Sequence, residues 1–319
     1  MSLYEKTNLL ITANAVKAGK LYSVIPSNGA GDCTVTRNTT ATRVNSLGLI
    51  ENVAANVPRL NYDIAGVTPS VLVEPQRTNL VKYSEDFSNS LYSKIDSNVS
   101  IDLAISPSGI QNADRFFADG SSSTHIILQQ QNTTAGLIHT FSVYVKSDTG
   151  RYILIRIGTG NFAKRFGITF DLQTGTITQT SETTSAPTGV SSSVQNAGNG
   201  WYRISLSLDS EGTNTGVILE TSDVPTPALN QNLDYSHVGT QAYYLWGAQL
   251  EQGFATSYIP TIAAAVTRNA DVITVSPPAG TVKITSTFSN NTTQVLTVIP
   301  ATFTVPEGLI KQVLMQNSL

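Results

Sequence analysis

The sequence has 319 residues, a formal net charge of −3 and only 13% charged side chains, so it lacks the basic stripe of a nucleic-acid binder and the polybasic cluster of a membrane-surface protein. In place of charge it carries 33 Ser, 40 Thr and 23 Asn, a hydroxyl- and amide-rich composition in which Thr favours strands. The lone Cys33 excludes an intrachain disulfide and a cysteine-based zinc cluster, and no run approaches the ~18 apolar residues of a membrane-spanning helix.

The chain opens with Glu5 where a signal peptide would be basic, and no long apolar run follows. The expectation is a protein made in a reducing cytosol. Residues 9–17 read as a short helix or a strand. Residues 1–75 carry Gly, Pro and Asn punctuation with little alternation, and read as an extended N-terminal arm without a core of its own.

Residues 76–265 read differently. Phe141, Val143 and Val145 alternate with Ser142, Tyr144 and Lys146. Ile153, Ile155 and Ile157 alternate with Tyr152, Leu154 and Arg156, and the period recurs at Phe166–Leu172 and Tyr202–Leu208. Period-two alternation marks strands buried on one face. Asp171-Leu172-Gln173-Thr174-Gly175 between two such runs predicts a hairpin. Residues 112–117 and 262–266 are too short to predict helices. Many short strands with frequent turns predict an all-β, jelly-roll-like β-sandwich. After Pro277-Pro278-Ala279-Gly280, residues 282–288, 294–299, 302–305 and 309–315 read as strands of a β-rich C-terminal tail, 266–319, that completes the sandwich or pairs with a neighbouring subunit.

Enzymatic signatures are weak. Gly158-Thr159-Gly160-Asn161-Phe162-Ala163 matches a loose dinucleotide fingerprint, but a second strand follows where a helix is required, so it reads as a hairpin loop. His125, His139 and His237 lack metal-ligand spacing, and nothing marks Cys33 as a nucleophile. Asp171, Glu220, Asp234 and Glu251 are candidate acids for glycoside hydrolysis, but nothing in the sequence pairs any two of them. No calcium loop is legible. The expectation is no catalytic residue, no metal and no cofactor.

Aromatic rings stack on sugar faces while polar groups read hydroxyls. Tyr144, Tyr152, Trp201, Arg203 and Tyr243 are the candidate glycan-binding residues. Tyr144 and Tyr152 are expected to be exposed opposite the apolar sets, and Trp201 shares a face with Arg203. Trp246 is placed in the core with Tyr244, Ala248 and Leu250. For each ring, packing or subunit contact is the plainer alternative.

Five arginines, Arg37, Arg43, Arg59, Arg77 and Arg268, sit amid Thr and Asn with few acids nearby. A guanidinium has five donors and can tie several carbonyls at once. They are read as structural arginines that staple the extended flanks 1–75 and 266–272 onto the sandwich or onto a neighbour, against the alternative of independent solvated side chains. Val35-Thr36-Arg37-Asn38 recurs as Val266-Thr267-Arg268-Asn269, which suggests similar roles for the two flanks.

Three blocks carry a resemblance. Leu21-Tyr22-Ser23-Val24-Ile25-Pro26, Thr34-Val35-Thr36-Arg37-Asn38 and Pro58-Arg59-Leu60-Asn61-Tyr62-Asp63 form the first. Val73-Glu74-Pro75-Gln76-Arg77-Thr78-Asn79-Leu80 is the second. Tyr244-Leu245-Trp246-Gly247-Ala248-Gln249-Leu250-Glu251, followed by Thr267-Arg268-Asn269-Ala270-Asp271, is the third. Together they resemble bacteriophage virion structural proteins, of the tail-fibre, head-fibre or capsid-decoration type, with a carbohydrate-binding-module-like jelly roll. The resemblance implies a non-enzymatic part of the virion surface, a homotrimer in contact with other virion proteins. It also leaves room for host surface glycan as a partner. Nucleic acid and membrane are not among the partners expected. No catalytic residue transfers from the blocks.

Overall fold

The computed structural model describes residues 6–159 and 162–317. The first five residues and Gly160-Asn161, on which the N-terminal and dinucleotide-loop readings partly rest, lie outside the described residues. The chain divides into two compact units, Thr78–Thr267 and a second made of Met1–Arg77 with Arg268–Leu319.

The Thr78–Thr267 unit is a jelly-roll β-sandwich. Its first sheet runs Ser93–Ile95, Ile126–Asn132, Asn214–Ser222, Tyr152–Thr159, Lys164–Asp171 and Thr176–Glu182. The second sheet runs Ser97–Ile105, Gln111–Ala118, Ala242–Gln252, Leu137–Ser147, Trp201–Ser210 and Ser191–Gly198. Pairing within both is antiparallel. The alternating sets seen in the sequence face each other between the sheets. Phe141, Val143, Val145, Ile153, Ile155, Ile157, Phe166, Ile168, Phe170, Ile204, Leu206 and Leu208 are all buried in one cluster. The hairpin at 171–175 forms, with Gly175 at φ +71° donating to the Asp171 carbonyl. Residues 112–117 lie in a strand. The flanking strands Tyr152–Thr159 and Lys164–Asp171 pair antiparallel, so a strand and not a helix follows the glycine-rich stretch.

Residues 1–77 do not stand alone: they share one core with the C-terminal tail. Leu9, Ile11, Leu21, Val71 and Val73 pack with Ile273, Val275, Ile284, Phe303, Ile310, Val313 and Met315. Thr7–Thr12 is a strand followed by a single 3₁₀ turn at Ala13–Ala15. It pairs with Gly308–Gln316, with Leu9 opposite Met315. Gly308–Gln316 also pairs with Lys283–Phe288 and Pro69–Val73. The tail therefore does not complete the sandwich: it belongs to the flanking unit, where its last strand is paired within the chain. Alternation had to be sought across both ends of the sequence at once for this core to be visible.

Candidate functional site

The arginines of the flanking unit converge. Thr34–Thr36 pairs with Val272–Val275, which brings Arg37 beside Asp271. Arg37 uses all five of its N–H groups. Nε donates to the Thr39 carbonyl at 3.0 Å, Nη1 to Val57 O at 3.1 Å and Asp271 Oδ1 at 2.8 Å, and Nη2 to Ala54 O and Val53 O. Arg59 donates to both Asp271 oxygens and to the Thr42 carbonyl at 3.0 Å, and pairs with Glu74 at 2.8 Å. Arg268 donates to the Pro75 carbonyl at 3.0 Å and lies 3.4 Å from Glu74. The Asp271 carboxylate also accepts from the Glu74 amide at 3.0 Å.

Three buried guanidiniums thus share two carboxylates and a set of loop carbonyls. In a segment rich in Thr and Asn and poor in acids, carbonyl oxygens are the available acceptors, and the guanidinium fork suits them. The repeated Arg37 and Arg268 meet at the same Asp271. The two other arginines of the group behave differently. Arg43 pairs with Glu51 across its own hairpin at 2.7 Å, partly exposed. Arg77 donates to the adjacent Gln76 carbonyl at 2.9 Å.

In the sandwich, the five glycan candidates do not form one cluster. Tyr144, Trp201 and Arg203 share the outer face of the second sheet, where Tyr144 stands opposite Arg203 and Lys146 opposite Trp201. Tyr152 is half-buried on the first sheet, with the Arg151 guanidinium 4.9 Å from its ring. Tyr243 points inward and is fully buried. Its hydroxyl donates to the Tyr152 carbonyl, and burial raises its phenol.

The expected exposure also fails on that outer face, for a physical reason. Tyr144 is 6% exposed and Trp201 2%. Gln111–Ala118 pairs with its sheet neighbour only over Asp114–Phe117, so the distal part of the hairpin, residues 101–113, extends beyond that contact. There the Ile105 carbonyl accepts from Trp201 Nε1 at 3.1 Å, while Ser106 and Pro107 are buried. Trp246 packs tilted against Tyr258, ring centroids 4.4 Å apart, and meets Tyr144 edge-on at 5.4 Å. The Tyr258 hydroxyl donates to Glu85 at 2.9 Å, and Asn112 Nδ2 donates to the other Glu85 oxygen at 2.8 Å. Burial raises the Glu85 carboxyl against these donors.

Trp246 is not in the inter-sheet core. A register shift sets Ser142 against Gln249 but Tyr144 against Trp246, with Gly247 at φ +65°. One extra residue reverses the facing of everything beyond it. Tyr243 and Leu245 point inward, and so do Ala248 and Leu250.

What remains accessible on this face is polar. Arg203 is half-buried and Gln195 exposed beside it. The Arg203 guanidinium lies 5.4 Å from the Tyr144 ring and donates to Ser142 Oγ at 2.9 Å. Ser193 and Ser191 continue the exposed edge along the same strand, whereas their cross-strand partners Ser205, Ser142, Ser207 and Thr140 are buried.

The candidate acids are all engaged by protein groups. Arg151 holds Asp171 through two bonds of 3.0 and 2.7 Å and brings its carboxyl down to about 2. Glu220 and Asp234 share the buried Arg156, with Asp234 at 2.6 Å. Burial nevertheless pushes Glu220 up to about 7. Glu251 accepts from Gln249 at 2.6 Å and from the Thr256 amide at 2.9 Å. His125 and His237 meet with ring centroids 5.1 Å apart, a juxtaposition the sequence does not signal. Among the described residues no three His, Cys, Asp or Glu side chains gather as a metal-holding group.

No family model matches the sequence, and no curated protein matches it. Among solved structures, the enzymatically active domain of tailspike protein 4 from bacteriophage CBA120 is similar at 10% identity and a TM-score of 0.33, over 55% of this chain and 21% of that one. The chain therefore spans about a fifth of the tailspike's length. TmCBM61, solved in complex with β-1,4-galactotriose, is similar at 10% identity and a TM-score of 0.30, over 55% of this chain and 99% of that one. The CBM22-1 xylan-binding domain of Paenibacillus barcinonensis Xyn10C is similar at 13% identity and a TM-score of 0.32, over 58% of this chain and 98% of that one.

Proposed function

We propose that the chain is a non-enzymatic structural protein of a bacteriophage particle, in an outer-surface fibre, tail appendage or capsid decoration, that assembles as a homo-oligomer and contacts other virion proteins. One observation carries this reading. The sequence words that resemble phage virion proteins are the words that build the arginine node: Arg37, Arg59, Glu74, Arg268 and Asp271 all come from them. Their side chains go into closing a structural unit from both ends of the chain. Antibody against the purified chain, applied to intact particles of the phage that encodes it, tests the reading. Gold label on the particle surface is expected. Particles that bind no antibody and yield no peptide of the chain in mass spectrometry would overturn it.

A second reading, host-glycan binding by the sandwich, is favoured by the accessible polar edge of Arg203, Gln195, Ser193 and Ser191 on the second sheet. Guanidinium, amide and hydroxyl groups on a flat strand surface suit sugar hydroxyls. A glycan array probed with the intact protein and with Arg203→Ala and Gln195→Ala tests it. Binding lost in the variants supports a sugar face there. Equal signals in all three, or none in the intact protein, count against it.

A further inference from the structure

The sandwich presents one hairpin whose solvent side is apolar. Ile101, Leu103, Ile105 and Ile110 are 56, 51, 62 and 62% exposed. They belong to the outermost strand of the second sheet and the turn that follows it. Residues 97–113 contain a single charged side chain, Asp102. The opposite edge of the same sheet, Ser191–Gly198, reads Ser-Ser-Ser-Val-Gln-Asn-Ala-Gly, and the far edge of the first sheet, Thr176–Glu182, is equally polar. Edge strands are ordinarily protected by polar or charged side chains. Both of those edges are, and the 97–105 edge is not.

We propose that this hairpin is where copies of the chain meet, Ile101, Leu103, Ile105 and Ile110 of one copy packing on the same residues of another. The inference rests on the homo-oligomer reading above and supplies its contact surface. Three observations select a second copy as the occupant. The patch is nearly uncharged, so it offers no electrostatic complement to a charged partner. The four side chains expose roughly 400 Å² of apolar surface, close to the apolar share of the ~800 Å² per partner that a standard interface buries. And the C-terminal strand Gly308–Gln316 is already paired on both sides within its own chain. A patch that meets its own counterpart about a symmetry axis gives a closed assembly.

The test is the native mass of the intact chain by light scattering, beside the variant Ile101→Thr, Leu103→Thr and Ile105→Thr combined. These positions are solvent-facing, so the monomer fold should be kept, and circular dichroism checks it. The inference expects the variant's mass to fall to 34.0 kDa, or its dissociation constant to rise at least ~100-fold. A folded variant with the parent's oligomeric mass would overturn this contact surface and leave the oligomer reading standing. A parent chain that is monomeric at every concentration would overturn both. If the variant does not fold, hydrogen exchange on the unmodified protein decides. Amides in 97–113 should gain protection as concentration is raised, and their indifference to concentration would overturn the inference.

Discussion

The Arg37 guanidinium and the Asp271 carboxylate, 234 positions apart in sequence, meet at 2.8 Å with both side chains buried. The same carboxylate also holds Arg59 and the Glu74 amide. Removing one partner of a buried pair leaves an uncompensated charge, which typically costs about 3–5 kcal/mol. Arg37→Met and Asp271→Asn should each destabilise the flanking unit by that amount in denaturant unfolding. Arg43→Ala, which breaks a partly exposed pair with Glu51, should cost less than about 1 kcal/mol. Equal losses for Arg37→Met and Arg43→Ala would refute the node as the source of the unit's stability.

Gly247 should resist substitution. It sits at φ +65°, and a Cβ there would meet Tyr144 Cδ2 at 3.0 Å and Tyr258 Cε2 at 3.3 Å. Left-handed backbone strain and the close contact together predict a loss of about 1–3 kcal/mol for Gly247→Ala. The near-ultraviolet circular dichroism from Trp246 packed against Tyr258 should weaken with it. An unchanged melting temperature and spectrum would show that the bulge does not need glycine.

Asp114 sets a pH dependence in the acid range. Burial raises its carboxyl from 3.8 to about 6, against hydrogen bonds from the Asp102 and Phe87 amides. The folded chain therefore holds this proton more tightly than the unfolded chain does. The group's contribution to stability is fully present below about pH 4 and is lost as pH rises through about 6. Asp114→Asn should remove that fall while keeping one acceptor oxygen. Urea unfolding at pH 4, 5 and 6 checks it, and parallel pH profiles for the two proteins would count against the assignment.

Cys33 should be inert in the native protein. Burial, with a smaller effect from Asp32, pushes its thiol up to about 12, and the thiol form is a poor nucleophile. Iodoacetamide at neutral pH should leave it unmodified until denaturant is added. Stoichiometric labelling of the folded chain would contradict this.

Much of the sandwich was legible in the sequence, because strands buried on one face announce themselves by alternation. Ile153, Ile155 and Ile157 turned inward as their spacing required. The faces of Tyr144 and Trp201 were legible too, but not their cover. Residues 101–113 reach them only through the folded hairpin, and the Ile105 carbonyl bonded to Trp201 leaves no sequence signal. Parity failed beyond Gly247, since a one-residue bulge reverses every later facing. The arginines stood out by their number among neutral neighbours. That Arg37, Arg59 and Arg268 would share Asp271, whereas Arg43 would find Glu51 locally, depends on pairing between the two ends of the chain.

Self-assembly of a structural chain is tested most directly by the native mass of the intact protein. Removing residues 273–319 would not serve, because Ile273, Val275, Ile284, Ile310, Val313 and Met315 belong to the core of the flanking unit. Light scattering over a range of concentrations should give a multiple of 34.0 kDa. A single-chain mass maintained up to about 100 µM would contradict the account, because association is driven by concentration.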